Sequence, residues 1–124
     1  MKVKTIKVGV KSADELLEDA GDYMKRVARG ETPPARKGVY FENVTAMRKA
    51  LTEKRLEILK TIRHEKPASV YALAKLLDRS VKSVVTDLHY LEAVGLVDLK
   101  KKGEGRERTE PTVDYDNIRL EIAV

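Results

Sequence analysis

The sequence has no cysteine, no glutamine and no tryptophan, and only two asparagines, Asn43 and Asn117, in 124 residues. Without cysteine there are no disulfides and no thiolate metal sites. His64 and His89 are the only histidines and lack a His-x3-His spacing, so no metal site is expected. No stretch approaches the roughly 18 apolar residues of a membrane span. The opening "MKVKTIKVGV" alternates charged and apolar residues, unlike the apolar core of a signal peptide. The chain is therefore expected to be soluble, cytoplasmic and free of the membrane. There is also no Ser-His-Asp arrangement, no nucleophile elbow and no glycine loop able to cradle phosphate, "GEG" at 103–105 being too short. "DYDN", with Asp114 and Asp116 around Tyr115, reads as a loop with Asx-type capping rather than as paired catalytic acids. These absences predict a protein that is not an enzyme and uses no cofactor.

What is present is charge. Charged residues make up 36% of the chain, and with the shortage of amide side chains this bias fits a protein from a hot environment. The apolar share, 42%, suffices for one core, and the length fits one domain with an appended arm. The net charge of +5 is unevenly spread. Residues 1–43 carry nine Lys/Arg against seven Asp/Glu, residues 44–102 thirteen against seven, and residues 103–124 three against six. The basic excess sits in the middle, where it can form an electrostatic footprint for phosphate or simply a solvated surface.

Periodicity organises the chain. Residues 2–10 read as a strand with Ile6, Val8 and Val10 on one face. Ser12 with Glu15 reads as a capping box opening a helix to about Arg29, with Leu16, Leu17, Ala20, Tyr23, Met24 and Val27 as its apolar stripe and Gly30 beyond its end. After the proline-rich loop, "VYFEN" is a short strand. "VTAMRKAL" is a helix; Thr52 caps "EKRLEILKTIRHE", with Leu56, Ile58, Leu59 and Ile62 inward; Ser69 caps "VYALAKLLD"; and Ser80 caps a helix to about Val94, stopped by Gly95. Residues 97–113 read as a hairpin with a glycine tip. "NIRLEIAV" alternates Ile118, Leu120, Ile122 and Val124 as a half-buried strand able to pair with the first. The expected fold is α+β: a strand-helix-strand extension at 1–43, a helical centre with its hairpin at 44–113, and a strand at 114–124 returning to the extension.

The helix after Ser80 is unusual. On a wheel at about 100° per residue, Val81, Val84, Val85, Leu88 and Leu91 fall in one arc, with Lys82, Ser83, Thr86 and Tyr90 opposite. The three-residue turn "DRS" before it forces a steep crossing with the preceding helix, as in a helix-turn-helix. Short hydroxyls let such a helix approach base edges closely. Lys82 can reach a guanine edge or a phosphate, and Tyr90 a phosphate or sugar. Tyr90 could instead pack against the hairpin, and Arg79 could bind phosphate or pair near Asp78. Lys100, Lys101 and Lys102 lead into the hairpin tip and Arg106 and Arg108 leave it, a basic pattern suited to phosphate contact.

"KPASVYALAKLLDRSVKSVVTDLHYLEAVGLVDLKKKGEGR" resembles the winged helix-turn-helix regulators of the MarR-like class, with "LEAVGLV" matching the end of the recognition helix. The flanks "YFENVTAMRKALTEKRLEILKTI" and "PTVDYDNIRLEI" are similar to a narrower group of prokaryotic DNA-binding proteins, some of them antitoxin-like partners of toxins. The resemblance covers about residues 38–124. The N-terminal strand and helix depart from it, standing where MarR-like proteins carry a long dimerisation helix. The resemblance implies a winged helix-turn-helix core and a transcriptional regulator of double-stranded DNA. The DNA-binding candidates are Ser69, Arg79, Ser80, Lys82, Ser83, Thr86, Tyr90, Lys100, Lys101, Lys102, Arg106 and Arg108. The expected partners are duplex DNA and a second copy of the chain, with helix 13–29 and the terminal strands as the natural dimer surface. The alternative is an interaction module that holds a protein such as a toxin.

Overall fold

The computed structural model describes residues 4–33, 38–103 and 108–124. Its elements run β1 (Thr5–Val10), α1 (Ala13–Ala28), β2 (Val39–Phe41), α2 (Val44–Ala50), α3 (Glu53–Glu65), α4 (Val70–Leu77), α5 (Val81–Val94), β3 (Asp98–Lys102), β4 (Arg108–Thr112) and β5 (Asn117–Glu121). The fold is mixed α+β, as the alternation between period-two and helical segments requires.

Local chemistry sets the helix starts. The side chains of Ser12, Asn43, Thr52, Ser69 and Ser80 each accept a hydrogen bond from the backbone N–H three residues on, satisfying a donor the first turn leaves open. Asn43 is the one of these caps that the sequence reading did not name. α5 ends at Gly95, whose φ of 90° is left-handed.

Three strands form a parallel sheet in the order β2-β1-β5. Parallel neighbours need a crossover, and α1 supplies it between β1 and β2. β5 lies on the other side of β1, registered from Thr5↔Asn117 to Gly9↔Glu121, with Lys7 bridging to Glu121 at 2.8 Å. Gly9 makes room for an aromatic ring, since a Cβ there would meet the Tyr40 ring at 3.1 Å. The last strand thus returns to the first. β3 and β4 form a separate antiparallel hairpin.

One core joins these parts. Val8, Val39 and Phe41 of the sheet cluster with Met47, Ile58, Ile62, Leu73, Val84, Leu88 and Leu91 of the helices. Behind the hairpin, buried Tyr115 donates its hydroxyl to the Leu96 carbonyl at 2.7 Å. Burial pushes that phenol well above its ordinary pKa, with the Asp114 charge adding to the effect. Arg63 of α3 donates to Asp116 at 2.7 and 2.9 Å and to the Val113 carbonyl at 3.1 Å, while the Lys4 N–H donates to Asp116. The hairpin's return strand is therefore tied to α3 and to the start of β1.

Three expectations about burial need correction. Leu56 is exposed at the lip of α3 rather than inward. Val81, placed in the buried arc of α5, is also exposed. Of the alternating residues after Asn117, only Ile118 packs on the core; the helical layer does not reach Leu120, Ile122 or Val124, and the strand ends at Glu121.

Candidate nucleic-acid interface

α5 presents two flanks with different fates. Val84, Leu88 and Leu91 are buried. Beside them, Ser83, Asp87 and Tyr90 turn toward α3. Arg55 of α3 donates from Nε to Asp87 Oδ1 at 3.1 Å, and Arg79 donates from Nη2 to Asp87 Oδ2 at 2.8 Å and to Ser83 Oγ at 2.6 Å. The Arg55 guanidinium also lies over the Tyr90 ring, 4.1 Å from its centroid. Burial pushes the Asp87 carboxyl up, but the hydrogen bonds and charges of Arg79 and Arg55 outweigh it and hold the group below the usual carboxylate range.

This cluster corrects part of the sequence reading. Arg79, Ser83 and Tyr90 are engaged within the chain, and Tyr90 packs under Arg55 rather than against the hairpin. Of the residues read as outward, Lys82 and Thr86 are exposed. The exposed arc of α5 as far as His89 is Val81, Lys82, Thr86 and His89, with Val85 half-buried among them. It is rotated by about 80° from the expected arc, at about 100° per residue. Asp87 is the only carboxylate in that stretch of the helix, and both arginines neutralise it on the inner flank.

The outer arc borders an open groove of about 840 Å³ between the start of α4, α5 and the hairpin. Val70, Val85, Leu88 and Leu99 give it an apolar floor, and Ser69, Tyr71, His89, Arg108 and Thr109 its rims. Ser69 and Ser80 sit at the two helix starts with their hydroxyls accepting cap bonds. Thr86 donates to the Lys82 carbonyl at 3.0 Å, folding its hydroxyl onto the helix. Tyr71, Val81, Val85 and His89 were not among the expected interface residues. For Val81 and Val85 the signal was the breadth of the apolar arc of α5, more than one buried seam needs; Tyr71 and His89 carried none.

Strand alternation divides the triple lysine of the hairpin. Lys101 lies opposite Thr109 on the face of Leu99, toward the groove, while Lys100 and Lys102 belong to the other face. Lys102 bridges to Glu110 at 3.1 Å. Arg108 lines the groove itself. Arg106 lies outside the described residues. Of the expected contacts, Ser69 and Arg108 line the groove; Ser80, Lys82 and Thr86 lie on α5 and its cap outside the lining, Lys101 shares a strand face with the groove residue Leu99, and Arg79, Ser83 and Tyr90 are held on the other flank of α5. Among the described residues no group of His, Asp and Glu could hold a metal, and no helix is long and apolar enough to cross a membrane.

The model of the HVO_A0114 family matches residues 50–120, from the end of α2 through most of β5, and leaves out β1, α1 and β2. No curated protein and no solved structure matches the chain. The match spans more than half of the sequence and includes every element that borders the groove, and on that ground the chain belongs to the HVO_A0114 family.

Proposed function

We propose that the protein is a sequence-specific regulator of transcription that binds double-stranded DNA through a winged helix-turn-helix formed by α4, α5 and the β3–β4 hairpin. The observation that carries this reading is the division of α5. Its one N-terminal carboxylate is turned inward and neutralised by Arg55 and Arg79, and the exposed arc keeps Lys82 as its only charge. A helix about 10–12 Å across fits a major groove about 12 Å wide. Lys82 is placed to reach a guanine edge or a phosphate. The apolar side chains of Val81 and Val85 suit thymine methyl groups, which line the same groove. Lys101 and Arg108 then meet phosphates beside it. The basic excess of residues 44–102 supports the reading.

The protein-holding alternative, antitoxin-like or otherwise, draws support from the bare apolar face of α1, which is not used in DNA contact.

Selection of bound duplexes from a random pool tests the reading. The wild type should enrich a defined motif, Lys82→Ala with Thr86→Ala should abolish enrichment, and Val81→Ala with Val85→Ala should flatten any thymine preference. No enrichment by the folded wild type would overturn the proposal.

A further inference from the structure

The groove between the start of α4, α5 and the hairpin has a floor that phosphates do not need. Leu88 on that floor is 1% exposed, and Val70, Val85 and Leu99 beside it are half-buried. A phosphate laid on apolar side chains loses water and gains no partner. An apolar concavity left open to solvent is itself a binding feature. The volume, about 840 Å³, falls within the roughly 300–1,000 Å³ of small-molecule sites. Along α5 the lining runs from Val81 to His89, about 12 Å at about 1.5 Å per residue, so the groove suits an elongated body.

The rims are polar and their charge is of one sign. Ser69, Tyr71 and Thr109 bring hydroxyls and His89 an imidazole. Among the described residues of the lining, Arg108 is the one formal charge and no Asp or Glu is present. Lys101 shares the strand face of Leu99. On the α4 rim, Lys75 holds its ammonium 5.0 Å from the centre of the Tyr71 ring. A cleft with cations at its edges and an apolar wall draws anions and repels cations.

We propose that the groove is a binding site for a small amphipathic anion, a carboxylate on an elongated apolar body, and that this ligand and duplex DNA exclude each other. The apolar body lies over Val70, Val85, Leu88 and Leu99 and takes their remaining surface out of water. The carboxylate faces Arg108 and Lys101 of the hairpin. The ligand covers Val81 and Val85, the side chains assigned above to thymine methyls, and neutralises the hairpin cations assigned to phosphates. The exclusion of DNA rests on the reading of α5 as the DNA-contacting helix; the anion site stands without it.

Decanoate is the probe, with decan-1-ol as its uncharged counterpart, and the valine and leucine methyl resonances of the full chain report binding. Decanoate should shift the methyls of Val70, Val85, Leu88 and Leu99 saturably and leave those of core Val8 and of exposed Leu17 on α1 in place. Decan-1-ol should bind at the same methyls about tenfold more weakly, for want of one charge-assisted hydrogen bond. Arg108→Ala with Lys101→Ala should bring decanoate down to the level of the alcohol and leave the alcohol unchanged. Saturating decanoate should release bound duplex, followed by fluorescence anisotropy. No shift in the groove, equal shifts at Leu17, or equal affinity of the wild type for acid and alcohol would overturn the anion site. Groove methyls that move with protein concentration instead of with decanoate would place a second copy there and overturn it too. Duplex retained at saturating decanoate would overturn the exclusion. A folded chain that binds decanoate but no duplex would remove the exclusion together with the DNA reading and leave the anion site standing.

Discussion

Removing the Asp87 carboxylate would take the shared counter-charge from two guanidinium groups, Arg55 and Arg79, that are each only 19% exposed. Breaking a buried pair costs about 3–5 kcal/mol, and residual solvent lowers the expectation for Asp87→Ala to about 2–3 kcal/mol in urea unfolding. Lys82→Ala, on the exposed arc, should stay within about 0.5 kcal/mol of wild type in the same assay. The carboxyl also sets a pH dependence. Its pKa is lower in the folded chain than in the unfolded chain, so its contribution to stability is complete above the unfolded value of about 3.9. That contribution is lost as pH falls through the folded value. Asp87→Asn should therefore have a flatter stability profile than wild type below about pH 4, measured as urea midpoint against pH. Arg79, Ser83 and Asp87 stand four residues apart in the sequence, yet the wheel set Ser83 outward and the turn left Arg79 between phosphate and Asp78. Their partner Arg55, 32 residues before Asp87, was not legible in the sequence, because nothing local links the two. A helical wheel gives relative angles but no origin. With an apolar arc as broad as that of Val81, Val84, Val85, Leu88 and Leu91, it cannot say which edge is covered.

The starts of α4 and α5 depend on Ser69 and Ser80, which were also read as DNA contacts. Each hydroxyl accepts a cap bond, so Ser69→Ala and Ser80→Ala should each cost about 1 kcal/mol of stability. A loss of duplex affinity beyond what that instability explains would give them a second role at the interface. At the foot of the hairpin, Tyr115→Phe should cost about 1 kcal/mol through the lost bond to the Leu96 carbonyl, read as a shift of the urea midpoint with an unchanged slope. Caps were readable in the sequence because the rule is local: a hydroxyl or amide just before a helical run. The anchoring of the hairpin by Arg63, Asp116 and Tyr115 was not readable, because "DYDN" looks like any polar turn until α3 is packed behind it.

Across the molecule, the sheet draws both ends of the sequence together and gives the extension and the helices one core, so β1, β2 and β5 frame the helices rather than stand apart. The return of β5 to β1 was visible in its alternation; its parallel sense and its exposed end beyond Ile118 came only from where the helical layer stops. The same architecture leaves a groove with an apolar floor and Arg108 on its rim, bordered by α4, α5 and the hairpin, and a bare apolar helix, α1, that contributes nothing to its lining. The claim that the first of these surfaces meets DNA is tested most directly by the salt dependence of duplex binding, followed by fluorescence anisotropy. The account predicts that log K falls linearly with log salt for the wild type and that the double variant Lys82→Ala/Lys101→Ala shows a slope shallower by about 1 per removed cation, with its urea midpoint unchanged. Duplex binding that is absent, or whose salt slope is the same in wild type and double variant, would contradict it.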